Sequence, residues 1–88
     1  MNIIRHSLFK KAFKKRISHD LKMVEKVAEK LQQFQQNPKH PLLHDHPLTG
    51  KRKNQRSFSI TGDIRVIYEI DLEGTIILLD IGSHNQVY

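Results

Sequence analysis

Two histidines and two arginines in the second half of the chain are the residues best suited to chemistry. They are His46, Arg56, Arg65 and His84. The unperturbed pKa of histidine lies close to neutrality, so a pair of histidines can act as general base and general acid. Arginine binds phosphate through two parallel N–H groups and stabilises the charge that grows on a phosphate in a transition state. The four residues therefore fit the cleavage of RNA, in which a base removes the 2′-OH proton and an acid protonates the leaving 5′ oxygen.

The run His44-Asp45-His46 raises a metal site as an alternative. An extended loop could supply two ligands from it, but no third ligand follows at the spacing of common zinc motifs, and His40 lies next to a proline. The chain has no cysteine, which excludes disulfides, thiolate zinc sites and a cysteine nucleophile. We therefore predict neither a metal nor a cofactor, and a solvated loop is the other alternative for these histidines.

The positive charge of the chain is concentrated in two segments. The 88 residues carry a formal net charge of +6, six basic residues lie between Arg5 and Arg16, and no acidic residue lies between His46 and Gly62. The first segment contains Lys10, Lys11, Lys14 and Lys15, and the second contains Lys51, Arg52, Lys53 and Arg56. Two basic patches indicate a polyanionic partner, most often a nucleic acid, although lysine-rich helices are also common as solvated surface.

Apolar spacing and capping residues predict two helices in the first half of the chain. An amphipathic helix is predicted over about 8–17, with Ser7 as its N-cap. A second helix is predicted to begin after Ser18 or Asp20 and to end at about Gln36. The connection between them is short, which predicts an antiparallel helical hairpin.

From residue 57 onward, the apolar period changes from that of a helix to that of a strand. Strands are predicted around 57–60, 64–70 and 75–81, and residues 2–6 could add a fourth. The expected fold class is α+β, with an N-terminal helical hairpin packed on one face of a small antiparallel sheet of three to four strands, and residues 1–88 are expected to form a single domain. The other face, with Ser57 and Ser59, is expected to open onto a groove where the two histidines and two arginines converge.

Four segments of the chain resemble the RelE/ParE superfamily of type II toxins, most closely its YafQ-like branch of ribosome-dependent mRNA interferases. The segments are DHPLTG (Asp45 to Gly50), RSFSI (from Arg56), GDIRVIYEI (Gly62 to Ile70) and IGSHNQVY (Ile81 to Tyr88). Together with the helical hairpin they cover essentially the whole chain. The DHPL.G element is specific when GSH and an aromatic residue follow it in this order, whereas either element alone is weak.

The resemblance implies a RelE-like fold and a set of functional residues. The implied catalytic residues are His46, Asp63, Arg65 and His84, with His84 usually the acid. The implied substrate-binding residues are Arg56 and Tyr88, together with Lys51, Arg52 and Lys53 in the preceding loop. The implied contacts with ribosomal RNA are Lys10, Lys11, Lys14 and Lys15.

The same resemblance implies the partners. The chain would cut mRNA on the ribosome in the cytoplasm, without a metal, and leave a 2′,3′-cyclic phosphate or a 3′-phosphate. A small cognate antitoxin, expected to be acidic at its toxin-binding segment, would neutralise it, and operator DNA would be bound only through the antitoxin. No membrane partner is expected, because charged residues interrupt the N-terminal segment before any apolar run develops.

Three positions depart from the YafQ-like pattern. Ser59 stands where a second histidine is expected, Ser57 where an acid is frequent, and Ile64 where a tryptophan is frequent. Serine cannot act as a base at neutral pH, so reduced activity is one alternative. A ParE-like toxin that inhibits DNA gyrase by binding, and a basic RNA-binding relative without catalysis, are two further alternatives.

Overall fold

The computed structural model describes residues 1–88 and contains three helices and five strands. The helices are α1 (Ser7–Arg16), α2 (Leu21–Gln36) and α3 (His84–Val87). The strands are β1 (Ile3–Arg5), β2 (His46–Pro47), β3 (Gln55–Ser59), β4 (Ile64–Ile70) and β5 (Ile76–Ser83). Short 3-10 turns occupy Pro41–Leu43 and Gly50–Arg52. None of the helices has the length and apolar composition that a membrane span requires.

The five strands form one mixed sheet in the order β1-β5-β4-β3-β2. The predicted α+β class is confirmed, but the predicted count of three to four strands is too low, and the sheet is not entirely antiparallel. β1 lies parallel to β5, with Ile3 opposite Ile76, and β2 adds a two-residue strand beside β3. Pro47 suits an edge strand, because proline has no N–H to donate to a further neighbour.

Side-chain caps fix where the two long helices begin. His6, rather than the predicted Ser7, is the N-cap of α1, and its Nδ1 accepts a hydrogen bond from the Leu8 N–H at 3.0 Å. Asp20 is the N-cap of α2 and accepts from the Met23 N–H at 3.1 Å. Each cap satisfies a backbone donor that the first helical turn leaves unpaired.

One cluster of thirteen buried hydrophobic residues joins both long helices to one face of the sheet, which we call the core face. Phe34 of α2 stacks on Phe58 of β3 with ring centroids 4.4 Å apart, and it meets Tyr68 of β4 edge-on at 5.0 Å. Val66 shares this face with Tyr68, because successive side chains of a strand alternate. Both residues therefore face the helices, as the sequence pattern predicts.

The opposite face of the sheet carries Ser57, Ser59, Arg65 and Ile67, and we call it the open face. α3 follows β5 directly and contacts both β4 and β5. Ile67 of β4 and Val87 of α3 are buried, although neither belongs to the core cluster. Apolar burial on the open face is therefore separate from the main core.

Candidate active site on the open face

Strand register brings His46 and Arg65 to the open face. His46 lies directly opposite Ser57, and Arg65 lies directly opposite Ser59. Directly opposed residues of an antiparallel pair point to the same face, and residues two apart along a strand share it as well. The four residues therefore line one strip of the open face.

The His46 ring is exposed and is oriented by the backbone. Its Nδ1 lies 2.9 Å from the carbonyl oxygen of His44, a residue in the left-handed conformation with a φ of 49°. A carbonyl oxygen only accepts hydrogen bonds, so Nδ1 carries the proton when the ring is neutral. Nε2 then holds the free lone pair and can take a proton from a substrate. This geometry suits a general base.

The GSH segment is an ordered helix start. The Ser83 hydroxyl accepts from the Gln86 N–H at 3.3 Å, and the Gln86 side chain accepts from the Ser83 N–H at 2.8 Å. This reciprocal capping stabilises the first turn of α3. A Cβ at Gly82 would lie 2.7 Å from Gln86 Oε1 and 2.8 Å from Arg16 Nη1, so both of these side-chain ends would have to shift. Glycine therefore lets α3 fold back closely against the end of β5.

α3 brings His84 and Tyr88 together, as their spacing of four residues predicts. Their rings meet edge to face with centroids 4.5 Å apart. The Tyr88 hydroxyl is hydrogen-bonded to the Ser57 hydroxyl, opposite His46 in the sheet. His46 therefore lies opposite Ser57 in the sheet, and the His84 ring packs against Tyr88, at the two ends of the Ser57–Tyr88 hydrogen bond.

Asp63 and Arg65 lie on the same side of the sheet. Asp63 Oδ1 accepts from the backbone N–H of His84 at 3.4 Å, so it contacts the helix backbone rather than the imidazole. Arg65 Nη1 donates to the Ser59 hydroxyl and, at 3.2 Å, to the Thr61 carbonyl oxygen. Ser59 therefore holds Arg65 on the open face.

Arg56 does not join these residues. It lies opposite Tyr68 in the register of β3 and β4 and so points to the core face. Its Nε donates to Asp45 Oδ1 at 2.8 Å, and its Nη2 forms an ion pair with the same oxygen at 2.6 Å. This hydrogen bonding to Asp45 raises the pKa of Arg56 above its ordinary value. The expected convergence of two histidines and two arginines on one face therefore fails for Arg56.

The basic residues expected to contact RNA are exposed, with one exception. Lys51 of the second 3-10 turn and Lys53, just after that turn, are exposed, as are Lys10, Lys11, Lys14 and Lys15 of α1. Arg52 is half-buried, and its Nη1 donates to the Val87 carbonyl oxygen at 2.5 Å while its Nε donates to Gln55 at 3.0 Å. Arg52 therefore tethers α3 to the loop that precedes β3.

A cleft of about 460 Å³ lies between α1 and the open face. Leu8, Ile67 and Leu79 give it apolar walls, and Lys11 and Lys15 lie along it. The basic groups along this cleft suit a nucleic acid, whose phosphates attract cations.

The sequence interpretation missed Asp45, which touches both Arg56 and Tyr68. The available signal was its position next to His46, because neighbouring residues of a strand point to opposite faces. Asp45 is also poorly placed to bind a metal, since both of its carboxylate oxygens already accept hydrogen bonds from Arg56 and Tyr68. No group of three or more histidine, cysteine, aspartate or glutamate side chains is placed to hold a metal.

Solved structures of bacterial toxins share this fold. YafQ from E. coli strain BL21(DE3) has a TM-score of 0.80 at 20% identity, over 99% of this chain and 97% of that chain. YafQ in the E. coli DinJ-YafQ toxin-antitoxin complex has a TM-score of 0.76 at 20% identity, over 99% and 96%. A metal-bound toxin from Helicobacter pylori is 30% identical, with a TM-score of 0.73 over 100% and 99% of the two chains. The fold is therefore that of the RelE/ParE-like toxins.

The sequence match narrows this class to one family. The family model for YafQ, a bacterial toxin of type II toxin–antitoxin systems, matches residues 1–88. The chain belongs to the YafQ family of toxins, and the resemblance seen in its sequence is confirmed. No curated protein sequence matches the chain.

Proposed function

We propose that this toxin is an endoribonuclease that cuts mRNA on the ribosome, in the cytoplasm, and so inhibits translation. The observation that carries the proposal is the placement of His46 opposite Ser57 and of His84 against Tyr88, with the Ser57 and Tyr88 hydroxyls hydrogen-bonded to each other on the open face. Two exposed imidazoles on one surface supply a base and an acid, and both are accessible to a polymeric substrate.

His46 is the base in the proposed reaction, and His84 is the acid. The Nε2 of His46 removes the proton from a 2′-OH, and the resulting oxygen attacks the adjacent phosphorus. Protonated His84 gives its proton to the 5′ oxygen as the bond between phosphorus and that oxygen breaks. The products are a 2′,3′-cyclic phosphate and a free 5′-OH, and no step passes through a metal.

Arg65 stabilises the phosphate as negative charge grows on its oxygens. Ser59 and the Thr61 carbonyl hold this guanidinium on the open face. Asp63 supports the acid by contacting the backbone at the start of α3. Because Ser59 cannot be a second base, we expect slower cleavage than in a relative with a histidine at that position.

Ribosomes programmed with a defined mRNA test the proposal. The wild-type toxin should cut within the A-site codon and leave a 2′,3′-cyclic phosphate, identified by end analysis of the fragments. Loss of an acid or a base typically costs about 100-fold or more in rate, so His46→Ala and His84→Ala should each lower kcat by at least that factor. His19→Ala is the matched control, because His19 is an exposed histidine in the connection between α1 and α2.

The proposal fails if the wild type leaves ribosome-bound mRNA intact or if either active-site variant cuts at the wild-type rate. Inhibition of DNA supercoiling by gyrase, without mRNA cleavage, would establish the ParE-like alternative in its place. Binding of RNA without either activity would establish the non-catalytic alternative.

A cognate antitoxin is the proposed partner, and operator DNA would be bound only through it. A groove of about 520 Å³ runs between α1, α2 and the β1 edge, with Phe13, Val24 and Leu31 among its apolar lining residues. An amphipathic segment suits such a groove, and the +6 charge of the chain favours an acidic one. Co-expression of a short, adjacent reading frame that encodes an acidic protein should restore growth. If cells that express the toxin stay growth-arrested with each adjacent reading frame co-expressed, the proposal of a cognate antitoxin is contradicted.

A further inference from the structure

Asp45, the residue before His46, is held at both of its carboxylate oxygens. Arg56 Nε donates to Oδ1 at 2.8 Å, Arg56 Nη2 forms an ion pair with the same oxygen at 2.6 Å, and the Tyr68 hydroxyl donates to Oδ2. Only 9% of the Asp45 side chain is exposed, and Tyr68 is buried. Hydrogen bonds to an ionised acceptor are the stronger ones, and low exposure strengthens them further. We call Asp45, Arg56 and Tyr68 the Asp45 network.

The backbone around His46 has few other attachments. β2 has only two residues, and the next backbone bond is from the Leu48 N–H to the Gln55 carbonyl oxygen at 2.9 Å. On the other side, His44 supplies the carbonyl oxygen that orients the His46 ring. Asp45 is the single residue between this carbonyl and His46. Its backbone conformation therefore sets the distance between the carbonyl oxygen and Nδ1.

The two sides of the sheet separate the network from the substrate. Asp45 bonds to Arg56 and Tyr68 on the core face, whereas His46 lies opposite Ser57 on the open face. Lys39, His40 and His44 line the recess beside Asp45 and Arg56, but none of them hydrogen-bonds to Asp45. The network can therefore act on His46 through the backbone without touching a substrate bound to the open face.

We propose that the Asp45 network positions His46. The network holds the segment around Asp45 in place, and the His44 carbonyl oxygen in that segment then keeps the neutral His46 ring in its Nδ1–H tautomer. The inference rests on the proposed function for the role of His46 as base. It reassigns Arg56 from phosphate binding to positioning, because its guanidinium is paired with Asp45 on the core face, on the side of the sheet opposite to His46. Burial and the bond to Asp45 also raise the pKa of Tyr68, which keeps its hydroxyl a donor.

The first test observes the His46 ring directly and requires no catalytic activity. In ¹⁵N NMR spectra of the full chain, the neutral wild-type ring should be the Nδ1–H tautomer. Asp45→Asn weakens the network, and Tyr68→Phe removes one donor while it keeps the aromatic ring in the core. Each variant should shift part of the His46 population to the Nε2–H tautomer. Unchanged tautomers in both folded variants would overturn the proposal.

A matched control is available in the second ion pair of the molecule. Arg16 donates to Asp80 at 3.1 Å; the two arginines are similarly exposed, whereas 31% of the Asp80 side chain is exposed against 9% for Asp45. Asp80→Asn breaks a pair of the same chemical type that has no contact with the segment around His46. The His46 tautomer should be unchanged in this variant. A shift as large as that in Asp45→Asn would mean that general destabilisation moves the ring, which overturns the proposal.

The second test separates positioning from phosphate binding by Arg56. Misplacement of a catalytic group lowers kcat steeply, so Asp45→Asn and Arg56→Gln should each lower kcat on ribosome-bound mRNA by about tenfold with KM unchanged. The double variant should lose about the same factor as either single variant, because the residues act as one unit. If Arg56 bound phosphate, Arg56→Gln would raise KM and Asp45→Asn would not, which overturns the proposal. A wild type that cuts no mRNA would defeat the proposed function, while the tautomer measurement would still decide whether the network positions His46.

Discussion

The two faces of one sheet contain equally buried residues with different consequences. Phe58 and Val66 are inaccessible on the core face and belong to the apolar cluster under the helices. Ser57 and Ser59 alternate with Phe58 on β3 and are also buried, yet their hydroxyls are bonded to residues of the candidate site. Burial therefore does not distinguish residues that stabilise the fold from residues that position the site. The bonding partner distinguishes them.

Tyr68 of the core face also contacts the residue next to His46. Its ring packs against Phe34 and Phe58 in the core, and its hydroxyl reaches Asp45 beside the proposed base. A substitution that changes only the hydroxyl should therefore affect the site, whereas one that removes the ring should affect the fold.

Phe58→Ala should have the largest effect on stability. It removes a ring that is completely buried and stacked on Phe34, and such truncations typically cost about 3–5 kcal/mol because a cavity remains. Ser57→Ala, one residue away on the open face, should cost only about 1 kcal/mol for its lost hydrogen bond. Urea unfolding at neutral pH measures both values. Equal costs for the two variants would show that the faces do not differ as described.

Gly82→Ala should have the next largest effect. A new Cβ meets Gln86 Oε1 and Arg16 Nη1 at less than 3 Å, so both side chains must move. A shift of Gln86 Oε1 weakens the capping bond that it accepts from the Ser83 N–H. Because the displaced groups are the ends of flexible side chains, the cost should be at the low end of overpacking, about 1–2 kcal/mol. Because α3 carries His84, cleavage should fall by more than stability alone explains. Gly62→Ala is the control, since a Cβ there meets nothing within 4 Å.

The sheet shows which parts of the fold the sequence could predict. Period-two alternation over β3 and β4 identified both faces, because that signal is local. The edge strands were harder, since pairing of residue 3 with residue 76 leaves no local pattern and β2 has only two residues. The parallel pairing of β1 with β5, which are separated by most of the chain, can be recognised only from the three-dimensional structure.

The site shows the same limit and one avoidable error. The contact between His84 and Tyr88 followed from their helical spacing, and the open-face position of Arg65 followed from alternation. Arg56 was assigned to the open face on its charge, although it lies two residues before Phe58 and must share the core face with it. The role of Asp45 depends on a hydroxyl twenty-three residues away in sequence, which no spacing rule connects to it.

Tyr68→Phe should change the alkaline stability of the toxin. Burial, followed by hydrogen bonding to Asp45, raises the pKa of Tyr68 above its ordinary value of 10.0. Above pH 10 the unfolded chain therefore releases a proton that the folded chain retains, and the free energy of unfolding falls as pH rises. The Phe variant lacks this titration, so its unfolding free energy should fall less steeply from pH 10 upward. Parallel slopes for the two proteins in urea titrations would contradict the raised pKa.

Ser59→Ala should have the smallest effect on stability, about 1 kcal/mol, because it removes one hydroxyl that accepts from Arg65. Arg65 keeps its bond to the Thr61 carbonyl oxygen, so it stays near the open face with less restraint. Less restraint on a group that stabilises a transition state should lower kcat several-fold and leave KM unchanged. Ser18→Ala is the control. The Ser18 hydroxyl, just after α1, donates to the Lys14 carbonyl oxygen and makes no hydrogen bond to Arg65, which lies opposite Ser59. If Ser59→Ala lowers stability but not kcat, Ser59 only stabilises the fold, and the function of Arg65 does not require the Ser59 hydroxyl.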